Sequence, residues 1–139
     1  MTHRVYLLGV LAGLILFVGG CSSGPKLTFP ELHPARGLVR AGSNPATGGF
    51  LQLVPEAGPN DYLVNGTVGA DGSFMLTTTH INDKSGDRRT GAPLGTYKAT
   101  FTPPSGDQTA GPTAGPLTAK AIVTIKAGEN NLVVDLPKK

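Results

Sequence analysis

The sequence has little of several features that common protein classes need. It contains a single cysteine and no tryptophan. One cysteine excludes an internal disulfide, so the stability of the fold has to come from side-chain packing. The formal net charge is +3, which is too small to indicate a nucleic-acid partner or electrostatic binding to a membrane. No segment shows the period of an amphipathic helix, which argues against a helical domain.

Long apolar runs are also scarce, and the one present lies at the N-terminus. Arg4 precedes an apolar run at residues 5–18, and Gly19, Gly20 and Cys21 follow it. The run has 14 residues, which is fewer than the roughly 20 that a membrane-spanning helix needs and matches the apolar region of an export signal. Residues 1–20 are therefore predicted to form a helical signal peptide that is removed on export.

The residues at the predicted cleavage site are Val18, Gly19, Gly20 and Cys21. They resemble the lipobox of bacterial lipoproteins. That resemblance implies cleavage before Cys21, three acyl chains on this residue, and a permanent membrane anchor in the bacterial cell envelope. Ser22 in place of Asp after the cysteine implies release to the outer membrane if the host is Gram-negative. The alternative is an ordinary secretory signal with a chance cysteine near the cut.

Proline and glycine recur throughout the rest of the chain. All 12 prolines lie after residue 21. Residues 21–34 contain three of these prolines and no sustained hydrophobic period, so we predict a lipidated, extended tether there. Residues 35–137 alternate short apolar runs with turn residues, which is typical of a single β-sandwich domain.

Seven strands are expected in this all-β domain, because seven runs of strand-forming residues lie between clusters of Gly, Pro, Asn and Asp. In one run Phe74, Leu76 and Thr78 share a face, and in another Tyr97 and Phe101 point inward. Such alternation is typical of strands with one buried face. The predicted strands are residues 35–40, 49–54, 62–68, 73–79, 96–102, 117–126 and 132–136.

Two further patterns predict a turn and a buried face. Asp71 and Gly72 separate the third and fourth predicted strands, and a tight hairpin turn needs the positive φ that glycine adopts readily. Residues 62–68 and 73–79 are therefore expected to form a hairpin. In residues 117–126 the alternation predicts one face with Ala119, Ala121, Val123 and Ile125 inward, opposite Lys120, Ile122, Thr124 and Lys126.

Several short motifs recur in the order of one known domain family. They are Gly37-Leu38-Val39, a strand that ends at Pro55, Asp71-Gly72-Ser73-Phe74, and Gly95-Thr96-Tyr97. This order resembles carboxypeptidase regulatory-like (transthyretin-like) domains, and it implies a seven-stranded, Ig-like β-sandwich with a non-catalytic accessory or structural role. The chain departs from the pattern at Leu94, where a proline often precedes the glycine, and in its longer loops at 79–94 and 103–116.

Candidate metal ligands are few. His33 and His80 lie far apart in the chain and lack the short spacing of zinc ligands. Residues 82–87 carry oxygen donors at alternate positions, as in a calcium loop, but the closing Glu is missing and Lys84 opposes a cation. We therefore expect a solvated turn there, with no metal and no cofactor.

The polar residues indicate a contact surface more than an active site. The nine acidic residues are scattered over turns, so no catalytic pair is predicted and the chain is not expected to be an enzyme. Lys84, Arg88 and Arg89, with Tyr62 at a loop edge, are the best candidates for a partner or ligand surface.

Two functions remain open on these grounds. The first is a membrane-anchored cell-envelope lipoprotein that serves as a non-catalytic accessory, structural or protein-interaction module. The alternative is a module that binds an envelope or extracellular polysaccharide. Exposed aromatic rings would favour the second function, and Tyr62 is the ring that we expect to be available.

Overall fold

A computed structural model describes residues 27–105 and 115–137 of the chain. These residues form strands, isolated bridges and turns, without a helix among them. The strands build two sheets, so the prediction of an all-β sandwich is confirmed. The predicted signal peptide, Cys21 and part of the 103–116 loop lie outside the described residues. No helix within the described ranges has the length and hydropathy that crossing a membrane requires.

The smaller sheet is built around the first strand of the domain. In it β1 pairs in parallel with β10 and antiparallel with β2 and β5. Each β1 residue faces a β10 residue, from Ala35 opposite Asn130 to Ala41 opposite Leu136. This sheet therefore joins the two chain segments that are farthest apart in sequence. Its strands are β1 (Ala35–Ala41), β2 (Asn44–Pro45), β5 (Ser73–Met75) and β10 (Asn130–Leu136).

The larger sheet has six strands, in the order β7-β6-β4-β3-β8-β9. All of its neighbouring strands pair antiparallel. Antiparallel pairs allow one face of a sheet to be buried and the other to meet solvent. The strands are β3 (Phe50–Pro55), β4 (Tyr62–Thr67), β6 (Thr77–His80), β7 (Arg88–Thr90), β8 (Gly95–Thr102) and β9 (Leu117–Ile125).

The described residues thus contain ten strands, and the prediction of seven was wrong. Two of the additional strands, β2 and β7, have two and three residues, too few for a visible alternation. The third arises at Leu76, where the predicted strand 73–79 passes from one sheet to the other. The Leu76 N–H donates to the carbonyl oxygen of Ala35, and its own carbonyl accepts from the N–H of Gly91. Both hydrogen bonds join Leu76 to residues outside the hairpin, so the strand changes its pairing partner at Leu76.

The predicted hairpin is confirmed in part. Gly72 has a φ of 81°, and the N–H of Gly69 donates to the carbonyl oxygen of Ser73 at 2.8 Å. The turn therefore forms at Asp71 and Gly72 as expected from the sequence. Beyond it, β4 pairs with β6, and β5 pairs with β1.

The core between the sheets contains the alternating apolar residues. Phe74, Leu76 and Thr78 are all buried, as are Tyr97 and Phe101, which confirms the two predicted faces. These side chains pack with others from both sheets, so burial of their apolar surface is the main favourable term in folding.

The prediction for β9 was wrong at Ala121, which is exposed. Val123 and Ile125 are buried as expected. The pairing of β8 with β9 shifts register between Lys98 and Thr100. Such a bulge rotates residues of the longer strand out of the regular alternation, which explains why Ala121 leaves the core.

The pairings define two ends of the sandwich. Tyr62 lies opposite His80, and Pro55 lies opposite Tyr97, so the loops 56–61 and 81–87 lie at one end. The first residue of β1, Ala35, pairs with Asn130 at the same end. We call this the proximal end, because residues 28–34 lie there. The last residue of β10, Leu136, lies at the opposite, distal end.

Candidate functional site

Residues 28–34, which precede the first strand, lie against the proximal end of the sandwich. His33 is 7% exposed, and its N–H and carbonyl form two backbone hydrogen bonds with Ala92. The Nδ1 atom of His33 accepts a hydrogen bond from the N–H of Gly128 at 3.2 Å. The carbonyl oxygen of Pro34 accepts from the N–H of Asn130 at 2.9 Å. The end of the predicted tether is therefore held by contacts with two separate segments, at Ala92 and at residues 128–130.

An aromatic cluster holds the chain four residues earlier. The ring of Phe29 lies 6.0 Å from that of Tyr62 and 6.5 Å from that of His80, measured between centroids. Tyr62 and His80 meet edge to face at 5.1 Å. These separations are typical of attractive aromatic pairs. The cluster fixes Phe29 on the ends of β4 and β6.

Two polar contacts complete the cluster. The Cζ atom of Arg89 lies 4.2 Å from the centroid of the Phe29 ring, which is a cation–π geometry. The hydroxyl of Tyr62 donates a hydrogen bond to the carbonyl oxygen of Thr28 at 3.0 Å. Arg89 Nε also lies 3.3 Å from a carboxylate oxygen of Asp87. Both Tyr62 and Arg89 are therefore engaged in holding residues 28 and 29.

A cleft of about 230 Å³ opens beside this cluster. It is bounded by the 55–62 segment, by Pro30 and by the start of β8, and Tyr62 belongs to both the cleft and the cluster. The hydroxyl of Tyr97 donates to the carbonyl oxygen of Pro93 at 2.9 Å, and burial raises the pKa of this phenol. The cleft wall is mostly apolar. Its lining residues include Pro55, Pro59, Val64, Pro93, Leu94 and Tyr97.

The 82–87 loop lies next to the cluster and is organised by one carboxylate. An oxygen of Asp83 accepts hydrogen bonds from the N–H of Ser85 at 2.8 Å and from its hydroxyl at 2.6 Å. The other oxygen accepts from the N–H of Asp87 at 2.8 Å. Both oxygens of Asp83 therefore serve the turn. No group of three or more His, Cys, Asp or Glu side chains with metal-binding geometry occurs in residues 27–105 and 115–137.

The hydrogen bonds of Asp83 predict an acid-sensitive loop. The hydroxyl and the N–H of Ser85, with the N–H of Asp87, lower the pKa of this carboxyl below its usual value, which is about 3.9 in an unfolded chain. A depressed folded pKa stabilises the loop above about pH 3.9, and this contribution is lost as the pH falls through the folded pKa. Amide shifts of Ser85 and Asp87 should therefore move together below that pH in an NMR titration.

The matched control for this titration is Asp83→Asn. Asparagine has one carbonyl oxygen in place of two carboxylate oxygens, so it cannot accept from both Ser85 and Asp87. The two amide shifts in the variant are expected to be displaced at neutral pH and to lose the acid transition. An unchanged transition in the variant would show that another carboxyl causes it.

The structure brings together two of the four predicted surface residues. Tyr62 and Arg89 meet through Phe29. Lys84 and Arg88 are exposed, and no ion pair involves either of them among the described residues. The predicted cleavage and lipidation residues, Val18 to Cys21, lie outside the described part of the chain.

The sequence interpretation missed Phe29, His80 and the cleft. Phe29 stands between Thr28 and Pro30 in a segment that was expected to be an extended tether. Large aromatic residues are rare in solvated linkers. The presence of Phe29 was therefore the sequence signal that this segment docks on the domain. The cleft had no such signal, because its walls come from loops far apart in sequence.

Neither a protein-family model nor a curated protein sequence matches this chain. Among solved structures, it is similar to the crystal structure of a DUF3823 family protein from Parabacteroides merdae ATCC 43184, with 17% sequence identity and a TM-score of 0.45. The similarity covers 75% of this chain and 45% of that protein. The chain therefore matches less than half of that protein's length.

Proposed function

We propose that this chain is a lipid-anchored, non-catalytic interaction module of the bacterial cell envelope, carried on the outer membrane of a Gram-negative host. In this proposal the anchor is lipid on Cys21, and the sandwich is of the carboxypeptidase regulatory-like type. The observation that carries the proposal is the docking of residues 28–34 on the proximal end, beside an apolar cleft and at the same end as the exposed cations Lys84 and Arg88.

The docked segment limits the distance between anchor and domain. Phe29 and His33 hold the chain against the sandwich, so at most seven residues, 21–27, separate the proposed anchor from the docked segment. Seven extended residues reach at most about 25 Å. In the proposed arrangement the proximal end therefore faces the membrane, and the strands run away from it.

The same geometry defines the partner that would fit. The cleft offers an apolar recess, and Lys84 and Arg88 offer positive charge at the same end of the larger sheet. An apolar recess with exposed cations at the same end of the sheet complements an apolar side chain on an acidic surface. We propose that the partner is another envelope protein with such a surface close to the membrane.

The test is crosslinking in intact cells with the full-length protein tagged after Lys139. The double substitution Lys84→Glu and Arg88→Glu reverses the charge at both positions. It is expected to lower partner recovery about tenfold, because like charges then face the acidic partner. The control is the pair Lys98→Glu and Lys120→Glu, which makes the same charge change at exposed positions on other strands. Equal recovery by both double variants contradicts the proposed surface.

A further inference from the structure

The outer face of the larger sheet carries an exposed aromatic ring that the sequence interpretation did not select. Phe50 is 38% exposed on β3, whose inward residues Leu51 and Leu53 are buried. Phe50 and Gln52 alternate with these leucines and therefore point outward. By contrast, the Tyr62 ring is packed between Phe29 and His80. Phe50 therefore offers an exposed ring on the open face of the sheet, whereas Tyr62 is engaged at the proximal end.

The register surrounds Phe50 with uncharged polar side chains. Phe50 lies directly opposite Thr67 on β4 and opposite Thr102 on β8. Two residues along, Gln52 lies opposite Asn65 and Thr100. Directly opposed residues share a face of the sheet, so these six side chains form a grid of three strands by two rows. We call the grid the neutral patch: Phe50, Gln52, Asn65, Thr67, Thr100 and Thr102.

The row through Gln52 continues across the whole sheet without a charge. Asn65 is opposite Thr77, Thr77 is opposite Thr90, and Thr100 is opposite Thr118. Neighbouring strands are about 4.8 Å apart, so hydroxyl and amide groups recur at that interval over six strands. The result is a ladder of neutral groups that runs across the strands.

The ladder has unused hydrogen-bonding capacity. The hydroxyl of Thr77 donates to the carbonyl and side-chain oxygens of Asn65, each at 3.3 Å. Within the described part of the chain, the side chains of Gln52 and Thr100 make no hydrogen bond to another protein group, although both are half-buried. Amide and hydroxyl groups both donate and accept, so the patch can exchange hydrogen bonds with a ligand that does the same.

We propose that the neutral patch binds an extended, uncharged polysaccharide chain. A sugar ring presents an apolar face of C–H groups, which packs on an aromatic ring, and a rim of hydroxyls, which pairs with amides and hydroxyls. The absence of charge in these six side chains gives no attraction to an anionic polymer or to an acidic protein. The ladder suits a linear chain whose hydroxyls repeat along its length.

This site is separate from the proximal end. The neutral patch includes neither Lys84 nor Arg88 and shares no residue with the cleft. It also requires no lipid anchor. Failure of glycan binding therefore does not contradict the proposed protein partner. Loss of that partner likewise does not contradict glycan binding at the neutral patch.

The test uses the full-length protein in detergent micelles on an array of neutral glycans, which includes cello-, xylo-, malto- and chito-oligosaccharides. Calorimetry with the strongest neutral hexasaccharide then gives the affinity. Phe50→Ala and Gln52→Leu are each expected to weaken binding about tenfold. Phe50→Trp is expected to retain it, because the aromatic platform remains.

The matched control is Leu63→Ala. Leu63 is also 38% exposed and points outward from β4, but it lies outside the patch. Its replacement should leave the affinity unchanged within about twofold. Silence of cooperatively folding protein on every neutral glycan overturns the proposal, and so does binding to anionic glycans alone. Equal losses in Phe50→Ala and Leu63→Ala also overturn it, since the effect would not be local to the patch.

Discussion

Replacing Cys21 with alanine is expected to abolish incorporation of labelled palmitate into this protein. The thiol is the only one in the sequence, so no other side chain can form the thioether that the lipobox resemblance implies. Each buried methylene of an acyl chain contributes about 0.8 kcal/mol to membrane binding, and three chains make an anchor effectively permanent. The measurement is metabolic labelling with an alkyne fatty acid, followed by gel detection and mass spectrometry of the purified chain.

Ser22→Ala is the control for this experiment, because it changes the neighbouring residue and leaves the thiol. It should keep the full label. A wild-type chain that is cleaved near residue 20 but carries no acyl group would contradict lipidation and would support an ordinary secretory signal. The labelling result does not depend on the partner at the proximal end or on the glycan at the neutral patch.

Gly37→Ala is expected to destabilise the sandwich by about 3 kcal/mol, since overpacking against atoms that cannot move costs 1–3 kcal/mol and occasionally more. A Cβ atom at Gly37 would lie 2.0 Å from the backbone oxygen of Leu132 and 2.7 Å from its carbonyl carbon. Leu132 is the residue that faces Gly37 in the parallel pair of β1 with β10. To admit a methyl group, the two strands have to separate. The measurement is urea unfolding followed by circular dichroism.

Gly115→Ala is the matched control, because a Cβ atom there meets no atom of the described residues within 4 Å. The control should unfold within about 0.5 kcal/mol of the wild type. Equal stability of both variants would contradict the close approach of β1 and β10. The result also bears on the sequence motif Gly37-Leu38-Val39, since the structure gives a steric reason for its glycine.

The sequence predicted the parts of the fold that depend on local pattern. In β8, Tyr97 and Phe101 alternate with polar neighbours, and both are buried. Asp71 and Gly72 predicted a turn, and Gly72 has the positive φ expected there. Both features are encoded within a few residues, because side-chain alternation and glycine conformation are properties of the local chain.

The change of sheet at Leu76 was not predictable from local pattern. Phe74, Leu76 and Thr78 alternate as in one continuous strand, and all three are buried. The change of sheet depends on two hydrogen bonds of Leu76: its N–H donates to Ala35, and its carbonyl oxygen accepts from Gly91. These partners lie 41 and 15 positions away. The alternation is the same whether a strand stays in one sheet or crosses between two. Hydrogen-bond partners distant in sequence therefore decide whether the strand changes sheet.

The candidate sites also divide into residues that the local sequence indicates and residues that only tertiary contacts bring together. The sequence alone singled out Cys21, Lys84 and Arg88, because a thiol after small residues and a cluster of cations in a polar loop are visible in the text. Tertiary structure decided that Arg89 lies over Phe29, and that Phe50 stands among neutral side chains from three strands. Composition and alternation are local, and they determined the all-β class. Strand register and docking of the N-terminal segment depend on contacts between distant residues, so only the folded chain decides which side chains share a surface.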